Sequence, residues 1–157
     1  MKSQPLFREH GRQAAALCWR IGPRGLEVLL ITSLNAKRWI LPKGWLEAGL
    51  TGGENAAREA FEEAGVTGKV GATPIGHYLY LKEKQNGGGM PVNVEVFDLR
   101  VTKQLDDWPE RDQRNTLWVS LDQAVAKVSE PGLRDVLRTF RRHHAAQKPA
   151  MDARRQL

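Results

Sequence analysis

Three carboxylates, Glu59, Glu62 and Glu63, stand at i, i+3 and i+4 in the segment GENAAREAFEEA, residues 53–64. On a helical wheel at ~100° per residue they fall within an arc of about 100°. Like charges at that spacing repel and weaken a helix. A hard divalent cation relieves the repulsion, because Mg²⁺ takes oxygen ligands and shares them between carboxylates and a substrate's phosphates. Metal-assisted attack of water on a phosphoanhydride is the chemistry such a face suits. The competing reading is a solvated acidic face partly neutralised by Arg58. Ala57, Ala60, Phe61 and Ala64 occupy the opposite arc and are expected to face a core. Gly65 is placed to end the helix as a left-handed cap.

The elements needed to hold this helix follow from the rest of the chain. Residues 13–20 and 26–33 read as strands joined at Gly22-Pro-Arg-Gly25. Residues 34–52 read as loop with a short strand near Trp39–Leu41. Residues 68–82 and 92–103 read as strands with a flexible glycine loop, Gly87–Gly89, between them. A polar loop covers 104–113, and Leu117–Val119 form a short strand. A helix then starts at Ser120 or Asp122, and a last amphipathic helix covers 131–143. The order predicts an α/β fold with a mixed sheet and helices against it. One domain is expected over residues 11–144, after an irregular N-terminus (1–10) and before a basic, mobile tail (145–157).

Composition narrows the class. The chain has 157 residues, 41% hydrophobic and 27% charged, a soluble globular balance with no apolar run long enough to span a membrane. The start, MKSQPLFREHGR, lacks the apolar stretch of a secretory signal. A lone cysteine, Cys18, forms no internal disulfide. The expected location is cytoplasmic. Net charge is +6, and residues 134–157 carry +5 of it (seven Lys/Arg against two Asp). The body is therefore nearly neutral, and the tail is either a solvated helix end or a polyanion contact.

Five specified residues, Arg58, Glu59, Glu62, Glu63 and Gly65, recur by chance about once in a million starts. With Gly44 upstream, REAFEEAGV resembles the signature of the Nudix hydrolases, G-x5-E-x7-R-E-U-x-E-E-x-G-U. The resemblance implies an α/β/α sandwich and a pyrophosphohydrolase that uses Mg²⁺, or Mn²⁺ in its place. By the same resemblance Glu59, Glu62 and Glu63 are the metal ligands, Arg58 orients them, and Gly44 permits a close turn under the phosphates. Glu59 and Glu63 are the candidate bases on the helix; Glu95, on a strand, is a weaker one. One position departs: the first signature glutamate falls on Leu50, which neither binds metal nor pairs with Arg58. Glu47 and Glu54 are the nearby carboxylates.

Substrate candidates come from the flanking loops. Lys37, Arg38 and Lys43 lie beside the glycine turn and suit outer phosphates, and Trp39 and Trp45 are candidates to stack on a base. Arg12-Gln-Ala-Ala, Ile31-Thr-Ser33, the loop RWILPKG, and LDDWPE followed by Arg114 are similar to the diphosphoinositol polyphosphate phosphohydrolases, which also cleave diadenosine polyphosphates. That likeness implies Arg12, Ser33, Lys37, Arg38, Lys43, Gly44 and Arg114 as substrate contacts. Lys43 departs from it, standing where that group tends to have glycine. Two other readings remain at this stage. One is removal of pyrophosphate from RNA 5′ ends, with Arg138, Arg141, Arg142, Arg154 and Arg155 on the RNA backbone. The other is a non-catalytic ligand-binding module, for which Leu50 speaks. No membrane partner is expected.

Overall fold

The computed structural model describes residues 11–83 and 87–156, with side chains as far as residue 144. The predicted irregular N-terminus and the side chains of Arg154 and Arg155 lie outside the described residues.

The chain opens with a hairpin, β1 (Gly11–Gly22) and β2 (Gly25–Thr32). Gly22 pairs with Gly25, whose φ of 112° suits glycine. Two short strands follow, β3 (Trp39–Ile40) and β4 (Lys43–Trp45). After them come α1 (Gly52–Ala64), β5 (Val66–Val70), β6 (Gly76–Glu83), β7 (Gly89–Gln104) and β8 (Thr116–Ser120). Helices α2 (Leu121–Lys127) and α3 (Pro131–Gln156) close the chain. Among the described residues the sheet has eight strands, with β3-β2-β1-β7-β5 as its spine; β4 pairs β1, β6 pairs β7 and β8 pairs β2. β1 and β7 are parallel and every other pairing is antiparallel, so the sheet is mixed.

Alternation along β1 divides the core. Ala15 and Leu17 face one side, where they meet Val92, Val94 and Val96 of β7 and Leu133, Leu137 and Phe140 of α3. Ala14, Ala16 and Cys18 face the other and meet Ala56, Ala60 and Ala64 of α1 with Phe97 and Leu99 of β7. Helices thus cover both faces, giving the α/β/α arrangement. No helix among the described residues is long and apolar enough to cross a membrane.

Several boundaries differ from the sequence reading. The run 68–82 is two strands, β5 and β6, which pair with successive halves of the long β7. β4 has no strand pattern of its own; pairing with β1 makes it one. Helix α3 runs to Gln156 rather than stopping at 143, through a segment of strong helix formers interrupted by Pro149. On α1, Phe61 does not face the core: it is 38% exposed. The helix sits too close to the sheet for an aromatic ring. A β-carbon on Gly52 would strike the Phe97 ring, so Gly53, Ala56, Ala60 and Ala64 form the buried stripe and Phe61 turns outward.

Candidate functional site

Helix α1 is fixed at both ends by its own sequence. Thr51 is the N-cap, accepting from the Glu54 amide at 3.1 Å, while Glu54 Oε1 accepts from the Thr51 amide at 2.8 Å. This reciprocal capping box occupies Glu54. At the other end Gly65, φ 69°, is the left-handed cap. A β-carbon there would overlap the Trp108 ring, so the LDDWPE loop closes over the helix end. Two backbone bonds complete the clamp, Leu105 N to Gly65 O at 2.8 Å and Glu110 N to Glu62 O at 3.0 Å.

Between these ends the three glutamates have different surroundings. Glu63 is buried, 5% exposed. Its Oε1 accepts from the Lys43 amide at 3.1 Å, and its Oε2 lies 3.5 Å from Arg114 Nη2. Burial pushes its carboxyl up to about 8, against the pull of Arg114 and of the Lys43 amide, with Glu59 and Glu110 adding to the rise. Glu59 is half-buried and shares a hydrogen bond with Glu63; burial and then Glu62 raise its carboxyl as well. Gly44 lies directly under it: a β-carbon there would overlap the Glu59 carboxylate carbon and both oxygens. Glu62 turns aside to Arg58, whose Nε donates to Glu62 Oε1 at 3.0 Å.

Arg58 has a second partner. Its Nη1 donates to Glu47 Oε2 at 2.5 Å, and the Glu62 and Glu47 contacts together raise its basicity. Glu47 is held by its backbone, whose amide donates to Oδ1 of buried Asn55 at 3.1 Å. Asn55 Nδ2 in turn bonds the Thr51 carbonyl at 2.9 Å. The loop before α1 is thereby folded so that Glu47, and not position 50, reaches Arg58.

Beside the glutamates is a cavity of about 540 Å³. Of the residues singled out by sequence, Ser33, Arg38, Lys43, Gly44, Glu59, Glu62, Glu63 and Arg114 line it. Arg12 and Lys37 do not. Arg12 is exposed and lies 3.6 Å from Glu95. Lys37, at φ 55°, sits in the turn that Ser33 and Arg38 close, where Ser33 Oγ accepts from the Arg38 amide at 3.0 Å. Trp45 is at the cavity, whereas Trp39 packs on the α3-side core. Arg114 is 8% exposed and fully engaged, with Glu110 at 2.9 Å, Glu63, and the Thr32 carbonyl at 3.1 Å. It holds Glu63 in place from behind rather than facing solvent.

Gln13 and Tyr80, which the sequence reading did not single out, also line this cavity. Lys43 Nζ donates to Gln13 Oε1 at 3.0 Å and to Tyr80 Oη at 2.7 Å. It also lies 4.4 Å over the Tyr80 ring. Burial, then Lys82, lowers its ammonium to about 8. The signal for Gln13 was the strand alternation itself, which puts it on the face of Ala15 and Leu17, one residue from exposed Arg12. Glu110, in the polar loop before β8, is a further carboxylate near Glu59 and Glu63.

The donor set suits a hard divalent cation. Two convergent carboxylates with raised proton affinity need a proton or a cation between them, and Gly44 leaves the space beside Glu59 clear. Among the described residues no three acidic, His or Cys side chains are already spaced as a closed metal cage. Glu62 is the member turned away, toward Arg58.

The family model for the NUDIX domain matches residues 11–140. Nudix hydrolase 12, mitochondrial, of Arabidopsis thaliana is 35% identical over 122 residues, covering 74% of this chain and 59% of the relative. Diphosphoinositol polyphosphate phosphohydrolase 3-beta of Bos taurus is 35% identical over 117 residues, covering 73% and 66%. The chain thus spans about three fifths to two thirds of the length of these relatives. A solved C. elegans Ap4A hydrolase complex has the same fold, with TM-score 0.65 and 23% identity over 87% of this chain and 98% of that one. From the matched domain, the arrangement of α1 in the sandwich and these relatives, the chain belongs to the Nudix family.

Proposed function

We propose that this protein is a divalent-metal-dependent pyrophosphohydrolase acting on a polyphosphorylated small molecule. The observation that carries the reading is the convergence of Glu59 and Glu63 against Gly44, with both carboxyls raised in proton affinity. Glu59 and Glu63 would hold the cation, Mg²⁺ or Mn²⁺, with Glu62 joining once it leaves Arg58. The cation supplies charge neutralisation of the phosphates and acidification of a bound water. The chain's own residues do the rest. Gly44 lets the turn approach the phosphates closely. Arg114, backed by Glu110, and the Lys43 amide fix the rotamer of Glu63, so its carboxylate is held ready for the cation without reorganising. Glu59 or Glu63 accepts the proton of the attacking water. Arg38 and the pinned Lys43 ammonium bind outer phosphate oxygens.

The lining favours one substrate class of the two that the sequence brings forward. Arg38, Lys43, Lys82 and Arg114 face Glu47, Glu59, Glu62, Glu63, Glu83 and Glu130, four cations against six carboxylates. A diphosphoinositol polyphosphate carries charge on nearly every ring carbon and needs a strongly cationic cradle. A dinucleoside polyphosphate concentrates its charge in one chain and ends in bases, for which Trp45, Tyr80 and the Gln13 amide are suited. We therefore favour a diadenosine-polyphosphate-like substrate. The RNA reading loses support because Arg138 and Arg141 are paired with Asp135 and Asp122.

The test is turnover with Mg²⁺ of diadenosine polyphosphates, diphosphoinositol polyphosphates, nucleoside triphosphates and 5′-triphosphorylated RNA, with Glu63→Gln alongside. Diadenosine polyphosphates should have the highest kcat/KM, and the variant should fall by about 10² or more. A higher kcat/KM for the inositol substrates would sink the substrate choice. Undiminished turnover in the variant would sink the metal assignment.

A further inference from the structure

We propose that β6 is a self-complementary edge at which two copies of this chain pair antiparallel about Tyr80. Among the described residues β6 pairs only with β7, so its other edge is open. An open strand of eight residues offers a row of backbone donors and acceptors, and natural edges are usually short, bulged or charged to prevent its use. This edge does the reverse at its centre. Leu79 and Leu81 are 67% and 68% exposed, the most exposed large apolar side chains of the described residues. By register they share the sheet face of Pro91 and Asn93, next to Arg12.

The sequence of the edge, His77-Tyr-Leu-Tyr-Leu-Lys-Glu83, specifies the partner. Antiparallel pairing about Tyr80 sets His77 opposite the second copy's Glu83, Tyr78 opposite Lys82, and Leu79 opposite Leu81. On one face four leucines join into a single apolar cluster, closed at both ends by a His–Glu pair. On the other, Tyr80 meets its own counterpart on the two-fold axis, while Tyr78 stays buried under the start of α3 and takes no part in the contact. An isologous contact requires this kind of self-complementarity. Shifting the register by one residue would place His77 opposite Lys82 and would break up the leucine cluster. Leu81, Lys82 and Glu83 also line the 540 Å³ cavity, so the second copy would lie along the cavity's rim. A strand-to-strand contact of this length is at the small end of specific interfaces, which predicts a reversible dimer with Kd of ~10–100 µM.

Sedimentation equilibrium of the full chain from 5 to 500 µM tests this. The wild type should pass from monomer to dimer within that range. Leu79→Lys should weaken the dimer at least ~10-fold while thermal melting stays cooperative, since the side chain is exposed. A charge exchange addresses register without touching the leucines. His77→Glu sets like charges opposite and should weaken the dimer; adding Glu83→Lys should restore it. A monomer throughout the range overturns the proposal, even if removing residues 1–10 then exposes a dimer, because that would make the chain's own N-terminal segment the occupant. A dimer indifferent to Leu79→Lys overturns it too.

Discussion

Replacing Glu63 by Gln should stabilise the metal-free protein at neutral pH while removing its response to Mg²⁺. Burial raises the Glu63 carboxyl from 4.5 to about 8. An acid whose folded pKa is raised holds its proton more tightly in the folded state. Its contribution to stability is therefore full below the unfolded value near 4.5 and is lost as pH rises through 8. At about 1.4 kcal/mol per unit, the whole window costs roughly 5 kcal/mol, and about 4 kcal/mol is lost by pH 7.5. Gln keeps the shape and can still accept from the Lys43 amide, yet it does not ionise. Its amide can donate to Glu59, which removes part of the repulsion there as well.

The assay is thermal unfolding of both proteins in EDTA across pH 5–8, repeated in saturating Mg²⁺. The titrating groups remote from this pair are common to both chains, so the difference in Tm reports position 63 together with its hydrogen-bonded neighbour Glu59. That difference should be small at pH 5 and grow in favour of the variant to about 10 °C at pH 8, taking ~2–4 °C per kcal/mol for a domain of this size. Mg²⁺ should close the gap by raising the wild type alone. Parallel Tm curves in EDTA, or a variant less stable at pH 8, would refute the assignment of Glu63 as a strained, cation-seeking carboxylate.

Two further outcomes follow from the same geometry. Glu47→Gln should leave Tm nearly unchanged, because its pair with Arg58 is exposed, but lower Mg²⁺ affinity by calorimetry ~10-fold as Arg58 loses one of its two anchors; adding Leu50→Glu should recover little of that loss, because the pinned turn keeps position 50 away from Arg58, and full recovery would show that the turn does not select position 47. Gly44→Ala should also fold normally, since the nearest atoms the new methyl meets are the flexible end of Glu59, yet weaken Mg²⁺ binding at least 10-fold; unchanged binding would show that the space beside Glu59 is not the cation's.

The parts of this protein that were legible in sequence are the local ones. Glu59, Glu62 and Glu63 announce a shared face because helical spacing is a property of neighbours, and Gly65 announces a helix end for the same reason. The sequence offers Ser120 or Asp122 as a helix start, and Ser120 is the N-cap of α2. What was illegible depends on distant partners. β4 exists because Gln13, Ala14 and Ala15 pair with it, and that pairing half-buries Lys43, a residue type expected in water. β5 and β6 read as one strand because the periodicity continues through them; the break at 71–75 is set by contacts with β7, where Gly71 N bonds Asp98 O at 2.9 Å and Ile75 N bonds Val96 O at 2.8 Å. Arg114, read as a substrate contact, lies 51 positions from Glu63, and only the fold reveals that it is spent on Glu63 and Glu110.

Leu50 shows most clearly how a sequence pattern and a spatial one come apart. A signature fixes a count along the chain, whereas Arg58 requires only a carboxylate within reach of its guanidinium. The turn through 45–51 is pinned by Asn55, inside the helix, and by Thr51, its N-cap. Once that turn is fixed, the position that reaches Arg58 is 47, and an apolar residue at 50 costs the arginine nothing. A departure at this signature position is therefore weak evidence for an inactive module unless the loop also lacks a carboxylate that the turn can deliver. Here it has one, at 2.5 Å, and the argument drawn from Leu50 for a non-catalytic protein loses its physical basis.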